Sequence, residues 1–129
     1  MNAPLHLSES PVYKKAIDIF TLSHNISTYL NQDLAHLSHD GKEDENIYFS
    51  GDIIQQSVSL APHILKAEQA PFSDKKYKHA TLVKQLTNKL YRNCKRLENC
   101  NSNGKDYLPI LRSELRKFKK LQKTWSLTL

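Results

Sequence analysis

The side chains able to move protons, attack electrophiles or bind metals are scattered along this chain. Its six histidines are His6, His24, His36, His39, His63 and His79. Only His36 and His39, three apart, could share one helix face. Two imidazoles without a third ligand at a workable spacing do not make a zinc-type site. General acid–base work needs titratable groups held at fixed separation. The densest acids, Asp40, Glu43, Asp44 and Glu45, lie instead in a polar stretch around Gly41. Gly41, Gly51 and Gly104 are isolated, so no glycine-rich phosphate cradle exists. Cys94 and Cys100 are six apart, which on one helix puts the thiols on different faces and out of bridging reach. The pattern predicts no catalytic residue, no metal and no cofactor.

The cations form a stronger pattern. Residues 1–73 hold four Lys/Arg against nine Asp/Glu, a balance of −5; residues 74–129 hold fifteen against four, a balance of +11. Such asymmetry points to a polyanionic partner. Lys89, Arg92 and Arg96 recur at i, i+3, i+7, flanked by Lys84 and Lys95. Arg112, Arg116, Lys119 and Lys123 recur at i, i+4, i+7, i+11, thickened by Lys117 and Lys120. A face that only solubilises a helix mixes signs, yet Glu114 is the one acid between Arg112 and Lys123. Guanidinium groups fork onto phosphates, and counterion release would supply the affinity. Tyr91 and Tyr107 read either as stacking residues or as boundary packing.

Amphipathic helices must position these charges. Ser10–Pro11 opens the first: serine caps an orphan N–H, and proline has none to lose. Val12, Ala16, Ile19, Phe20, Ile26 and Leu30 predict a helix over 11–37 with one buried face. A polar loop covers 38–45. A second helix is expected over 46–69 on Ile47, Ile54, Val58, Ala61 and Leu65, widened by Ile53, Leu60 and Ile64. Pro62 should kink it near 58–62, the alternative being a break into two helices; the kink is preferred because the apolar period continues in phase past Pro62, and the His63 ring is placed to satisfy a carbonyl that the kink frees. Pro71 ends this segment and Ser73 is expected to cap the next. The third helix, 74–100, is read from Val83, Leu86, Leu90, Cys94 and Leu97. After the turn at 99–104, the fourth, 105–126, is read from Leu108, Leu111, Leu115, Phe118, Gln122 and Trp125, a heptad-like stripe suited to shallow packing. The expected fold is all-α, one antiparallel up-down four-helix bundle over residues 1–129. The second helix is apolar over too wide an arc for one core, so assembly into a cyclic homo-oligomer is expected.

With 129 residues the chain suits one domain able to bury a core unaided. The opening MNAPLHLSESP lacks the basic and apolar regions of a signal peptide. No apolar run reaches the ~20 residues of a membrane span. Reduced thiols and these absences predict a cytoplasmic protein with no membrane partner.

Three segments carry a family resemblance. PVYKKAIDIFTLSHNIS (11–27), QQSVSLAPHILKAE (55–68) and ELRKFKKLQKTW (114–125) are similar to the opening, second and closing helices of a bacterial four-helix-bundle family. That family includes proteins encoded in intervening sequences of ribosomal RNA genes and the accessory variability determinant (Avd) proteins of diversity-generating retroelements. Here Ser59-Leu60-Ala61-Pro62 is one residue longer than the usual Ser-Ile-Pro step, and the Asn-Ile-Ala-Glu-Gly run common after it is missing. The basic C-terminal half resembles the Avd branch more. That resemblance implies a homopentameric barrel that binds nucleic acid and a partner reverse transcriptase, with no catalytic residues. The expected function is therefore a non-enzymatic accessory protein that binds RNA or DNA by phosphate contacts. The alternatives are a bundle that docks a protein, its charge incidental, and peripheral membrane association.

Overall fold

The computed structural model describes residues 8–35, 41, 46–100 and 102–129. The expected end of the first helix at 36–37, most of the 38–45 loop, His6, His36, His39 and the acids between 40 and 45 lie outside these. The fold is all-helical, with no strand among the described residues, and its four helical limbs fit a helical bundle. In chain order they are α1 (Pro11–Leu34), a broken limb made of α2 (Asn46–Val58) and α3 (Leu60–Gln69), α4 (Ser73–Leu97), and α5 (Leu108–Leu127), which follows a 3-10 turn (Asn103–Tyr107).

The first limb begins as its sequence dictates. The Ser10 hydroxyl accepts the Tyr13 N–H, and Pro11 takes the first turn. Val12, Ala16, Ile19, Ile26 and Leu30 are buried, while Phe20 is only half-buried. The gap in the apolar pattern is filled by Ser23 and Ser27, both fully buried. The Ser27 hydroxyl meets that of Ser50 at 2.8 Å and the Ser50 carbonyl at 3.0 Å. Small side chains thus let α1 and α2 approach closely; Ser27 and Ser50 satisfy each other, while the buried Ser23 hydroxyl has no hydrogen-bond partner among the described residues.

The second limb departs from expectation in two ways. It breaks at Ser59, which keeps helical dihedrals (φ −82, ψ −13) between two separate helices. Pro62 has no N–H for the Val58 carbonyl. Two serines bond backward beside the gap, Ser57 to the Ile54 carbonyl at 3.0 Å and Ser59 to the Gln55 carbonyl at 2.8 Å, a habit that bends helices. The buried face also differs. It comprises Ser50, Ile53, Ser57, Leu60, Ala61, Ile64 and Ala67. Of the expected positions, Ala61 and the three widening residues Ile53, Leu60 and Ile64 are buried, whereas Ile47, Ile54 and Leu65 are half-buried and Val58 is exposed. Those residues form a second apolar face, extended outward by the exposed Tyr48 and Pro62.

His63 does not serve a freed carbonyl. Its Nδ1 lies 3.1 Å from the Nδ1 of His79 on α4. Burial holds both rings below their ordinary pKa, reinforced at His63 by the charges of His79 and Lys66 and at His79 by those of Lys66, Lys78 and Lys75. One ring must be neutral to accept the other's proton. The unfolded chain therefore binds more protons than the fold, so this contact's stability is present at neutral pH and lost as pH falls below ~6.5. Thermal midpoints measured between pH 7.5 and 5 should fall, and His79→Asn should flatten that fall; an unchanged slope in the variant would assign it to other groups.

The last two limbs form nearly as read. Ser73 is the first residue of α4 and not its cap; Phe72 holds the cap position without a side-chain bond. α4 ends at Leu97, so Cys100 lies beyond it in the turn, and both cysteines are buried. α5 starts at Leu108 and not at 105, because Pro109 needs the first turn and residues 103–107 wind as a 3-10 helix. All six members of the fourth stripe are buried. Two clamps tie the limbs. Glu68 accepts Trp125 Nε1 at 3.1 Å and the Ser8 hydroxyl at 2.6 Å. Asp33 accepts the Ser102 hydroxyl at 2.6 Å and the Asn103 N–H at 3.2 Å.

The second clamp leaves no room at Gly104. A Cβ there would sit 3.1 Å from Tyr29 Cβ, 3.2 Å from Ser102 Oγ and 3.3 Å from Leu30 Cδ2. Gly104→Ala should cost about 1–3 kcal/mol by overpacking, read from a urea melt. A variant as stable as the parent would mean that the turn does not press on α1.

Candidate functional site

The cations occupy the flanks and outer faces of α4 and α5, and the helix registers explain which of them meet. On α5 the buried stripe from Leu108 to Trp125 leaves Arg112, Arg116, Lys119 and Lys123 on the flank toward α4. They are therefore beside the core stripe and not opposite it. Arg112 Nε donates to Glu98 at 2.9 Å and its Nη1 to the Tyr91 hydroxyl at 3.4 Å. Arg116 Nη2 donates to the same hydroxyl at 3.3 Å. The two guanidinium groups lie 5.7 and 5.8 Å from the Tyr91 ring centre. The Arg116 bond, with the Arg112 bond and both positive charges behind it, holds the Tyr91 phenol below its ordinary pKa against the opposing effect of burial.

Between the two helices runs a groove of about 520 Å³, lined by Thr87, Asn88, Tyr91 and Arg92 of α4 and by Leu115, Arg116 and Lys119 of α5. Thr87 and Leu115 are buried and form its floor; Arg92, Arg116 and Lys119 are exposed at its rim. No carboxylate among the described residues lies within ion-pair distance of these three. A cluster of unpaired cations around a partly apolar floor attracts phosphate-bearing ligands.

The remaining basic residues separate. Arg96 places its guanidinium 4.3 Å above the Phe49 ring of α2, so it faces the far flank of α4. Lys89, seven residues earlier, shares that flank by helical spacing. The stripe through Lys89, Arg92 and Arg96 is thus divided between two sides and does not merge whole with α5. Lys84 lies toward the other end of the hairpin, beside Tyr77, Gln122 and Leu127. Lys95, Lys120 and Lys123 are exposed. Lys117 pairs with Glu114 at 3.8 Å, and Glu114 pairs more closely with Lys15 of α1 at 2.5 Å, which holds its carboxyl below the usual range. Glu98 likewise neutralises Arg112. The repulsion expected of an unpaired stripe is therefore partly relieved.

Asn88 and the anchoring role of Tyr91 have no counterpart in the charge pattern of the sequence. Tyr91 is marked in the sequence only as an aromatic near the cations, and Asn88 only by its i, i+3, i+4 spacing with Tyr91 and Arg92. Tyr107 is exposed but stacks on Tyr29, their ring centres 5.7 Å apart, away from the groove. Further exposed aromatics, Tyr48, Phe72 and Tyr77, also lie outside it. Burial, followed by the Glu98 charge, pushes the Cys94 thiol up to about 12, which suits packing and not nucleophilic attack. Among the described residues, no group of three or more His, Cys, Asp or Glu is placed to hold a metal, and no helix is long and apolar enough to cross a membrane. Compared with known proteins, the chain matches no family model, no curated protein and no solved structure.

Proposed function

We propose that this chain is a non-enzymatic, cytoplasmic accessory protein that binds RNA or DNA through α4 and α5 and assists a reverse transcriptase, in the manner of the Avd proteins its sequence resembles. The observation that carries this reading is the α4–α5 groove, whose rim holds Arg92, Arg116 and Lys119 without acid partners. The rest of the molecule is acidic on balance, so polyanion binding is directed to this hairpin.

The limbs are proposed to alternate in direction. Arg112 at the start of α5 meets Glu98 at the end of α4, and Leu127 at the end of α5 shares a hollow with Tyr77 near the start of α4. The subunits are proposed to close into a cyclic homo-oligomer, a pentamer by the family resemblance. Support comes from the second apolar face of the broken limb, where Tyr48, Val58 and Pro62 are exposed and Ile47, Ile54 and Leu65 are only half-buried in the subunit. That face and the basic groove use different elements, so assembly leaves the groove open.

Light scattering of the purified chain, alone and with a short RNA, tests both parts. The expected result is a discrete oligomer that gains the mass of bound RNA at low salt and loses it at high salt. A monomer at micromolar concentration would remove the assembly, and RNA that never co-migrates at low salt would remove the function. Co-purification of a reverse transcriptase with the tagged chain is the further expected result.

A further inference from the structure

A flat basic helix face and a groove with a floor bind nucleic acid differently. Phosphates along a duplex can lie on the former, but its bases stay stacked inside and cannot enter the latter. An unpaired strand can turn a base into a groove while its phosphates stay on the rim, and aromatic side chains are the usual platform. The α4–α5 groove has the parts for the second mode. Its volume of about 520 Å³ exceeds a base and sugar. Its wall is the Tyr91 ring, steadied by two guanidinium groups on the phenol oxygen. Next to it on the same wall is Asn88, whose amide makes no side-chain hydrogen bond among the described residues, whereas the hydroxyl of neighbouring Thr87 is committed to the Val83 carbonyl at 2.7 Å. An amide with both ends uncommitted can donate to and accept from a base edge.

Resting on the nucleic-acid reading above, we infer that the groove receives one unpaired base from a single strand. Tyr91 provides the stacking surface, Asn88 bonds the base edge, and Arg92, Arg116 and Lys119 hold the flanking phosphates. The protein therefore prefers single strands, or the unpaired loops of folded RNA, to uniform duplex.

Fluorescence anisotropy with the full chain tests this, using one labelled oligonucleotide as a single strand and the same strand in its duplex, at one salt concentration. The parent should bind the single strand at least about fivefold more tightly, the lower end of what one stacked base contributes. Tyr91→Ala should remove that preference by weakening single-strand binding alone. Tyr91→Phe should keep it, because the ring remains. Asn88→Ala, at a half-exposed position, should reduce it without affecting the fold, which keeps the test open if Tyr91→Ala lowers stability. Equal affinity of the parent for both forms, or a preference untouched in both Asn88→Ala and a folded Tyr91→Ala, would overturn the inference and leave the basic-surface reading standing. Failure of the parent to bind either form would overturn both.

Discussion

Replacing Arg92, Arg116, Lys119 and Lys123 together with Gln should nearly abolish nucleic-acid binding while leaving the fold intact. Each cation removed from a phosphate contact lowers the dependence of log affinity on log salt by about 0.7 on single strands, so four remove roughly 3 from the slope. Counterion release contributes nothing near ~1 M salt, so the loss at ~0.1 M is roughly several-hundred-fold. The choice of residues follows the geometry. Arg112 is excluded because its loss would strand Glu98, its 2.9 Å partner. None of the four has an ion pair among the described residues, and only Arg116 makes an internal bond, to Tyr91. Relief of like-charge repulsion should hold or raise the melting midpoint. The matched control is Asp18→Asn on the exposed face of α1, expected to leave binding nearly unchanged. Asp33 is unsuitable, because it clamps Ser102 and Asn103. A fourfold variant that binds as tightly as the parent at equal salt would reduce these cations to a solvated face.

The second large effect separates the two apolar faces of the broken limb. Ile64 is fully buried, and Ile64→Ala should cost about 2–5 kcal/mol from lost transfer energy and the cavity left behind. Against a total stability of about 5–15 kcal/mol, this should lower the thermal midpoint by roughly 10 °C or more. Val58 is 42% exposed in the subunit. Val58→Ala should change the subunit's own stability by less than about 1 kcal/mol and act on assembly instead, seen as a loss of mass by light scattering. If Val58→Ala unfolded the subunit and Ile64→Ala did not, the limb would be rotated by about a third of a turn from its place here.

That rotation marks where the sequence was readable and where it was not. The buried face of α5 was readable in full, because Leu108, Leu111, Leu115, Phe118, Gln122 and Trp125 form one unbroken stripe, though the helix begins at Leu108 and not at 105. α1 was nearly so, its gap hidden because Ser23 and Ser27 look polar yet pack where helices come closest. α2 and α3 were read only in part for the same reason taken further. Ile53, Leu60, Ala61 and Ile64 are buried as expected, but the inner face also includes Ser50 and Ser57, while Ile47, Ile54, Val58 and Leu65 drew the centre of the stripe outward. The break at Ser59 needed the side-chain bonds of Ser57 and Ser59 as well as Pro62. At the site, the location of the positive charge on α4 and α5 was plain from residue type. Which cations are spent was less so: the partners of Arg112 and Arg96 are Glu98 and Phe49, fixed by flank geometry on adjoining helices, whereas Lys117 meets Glu114 one turn back on α5 itself. Tyr91 drew notice as an aromatic near the patch, but its two arginine contacts span 21 and 25 residues and leave no local signature.

The most direct measurement is photocrosslinking of a bound single strand, followed by identification of the modified peptides. The chain is predicted to crosslink within residues 87–92 and 115–123, with Tyr91 the foremost site, and the yield should fall as salt rises. Crosslinks confined to α1 or to the outer face of α2 and α3, or a yield indifferent to salt, would contradict the assignment of nucleic-acid binding to the α4–α5 groove.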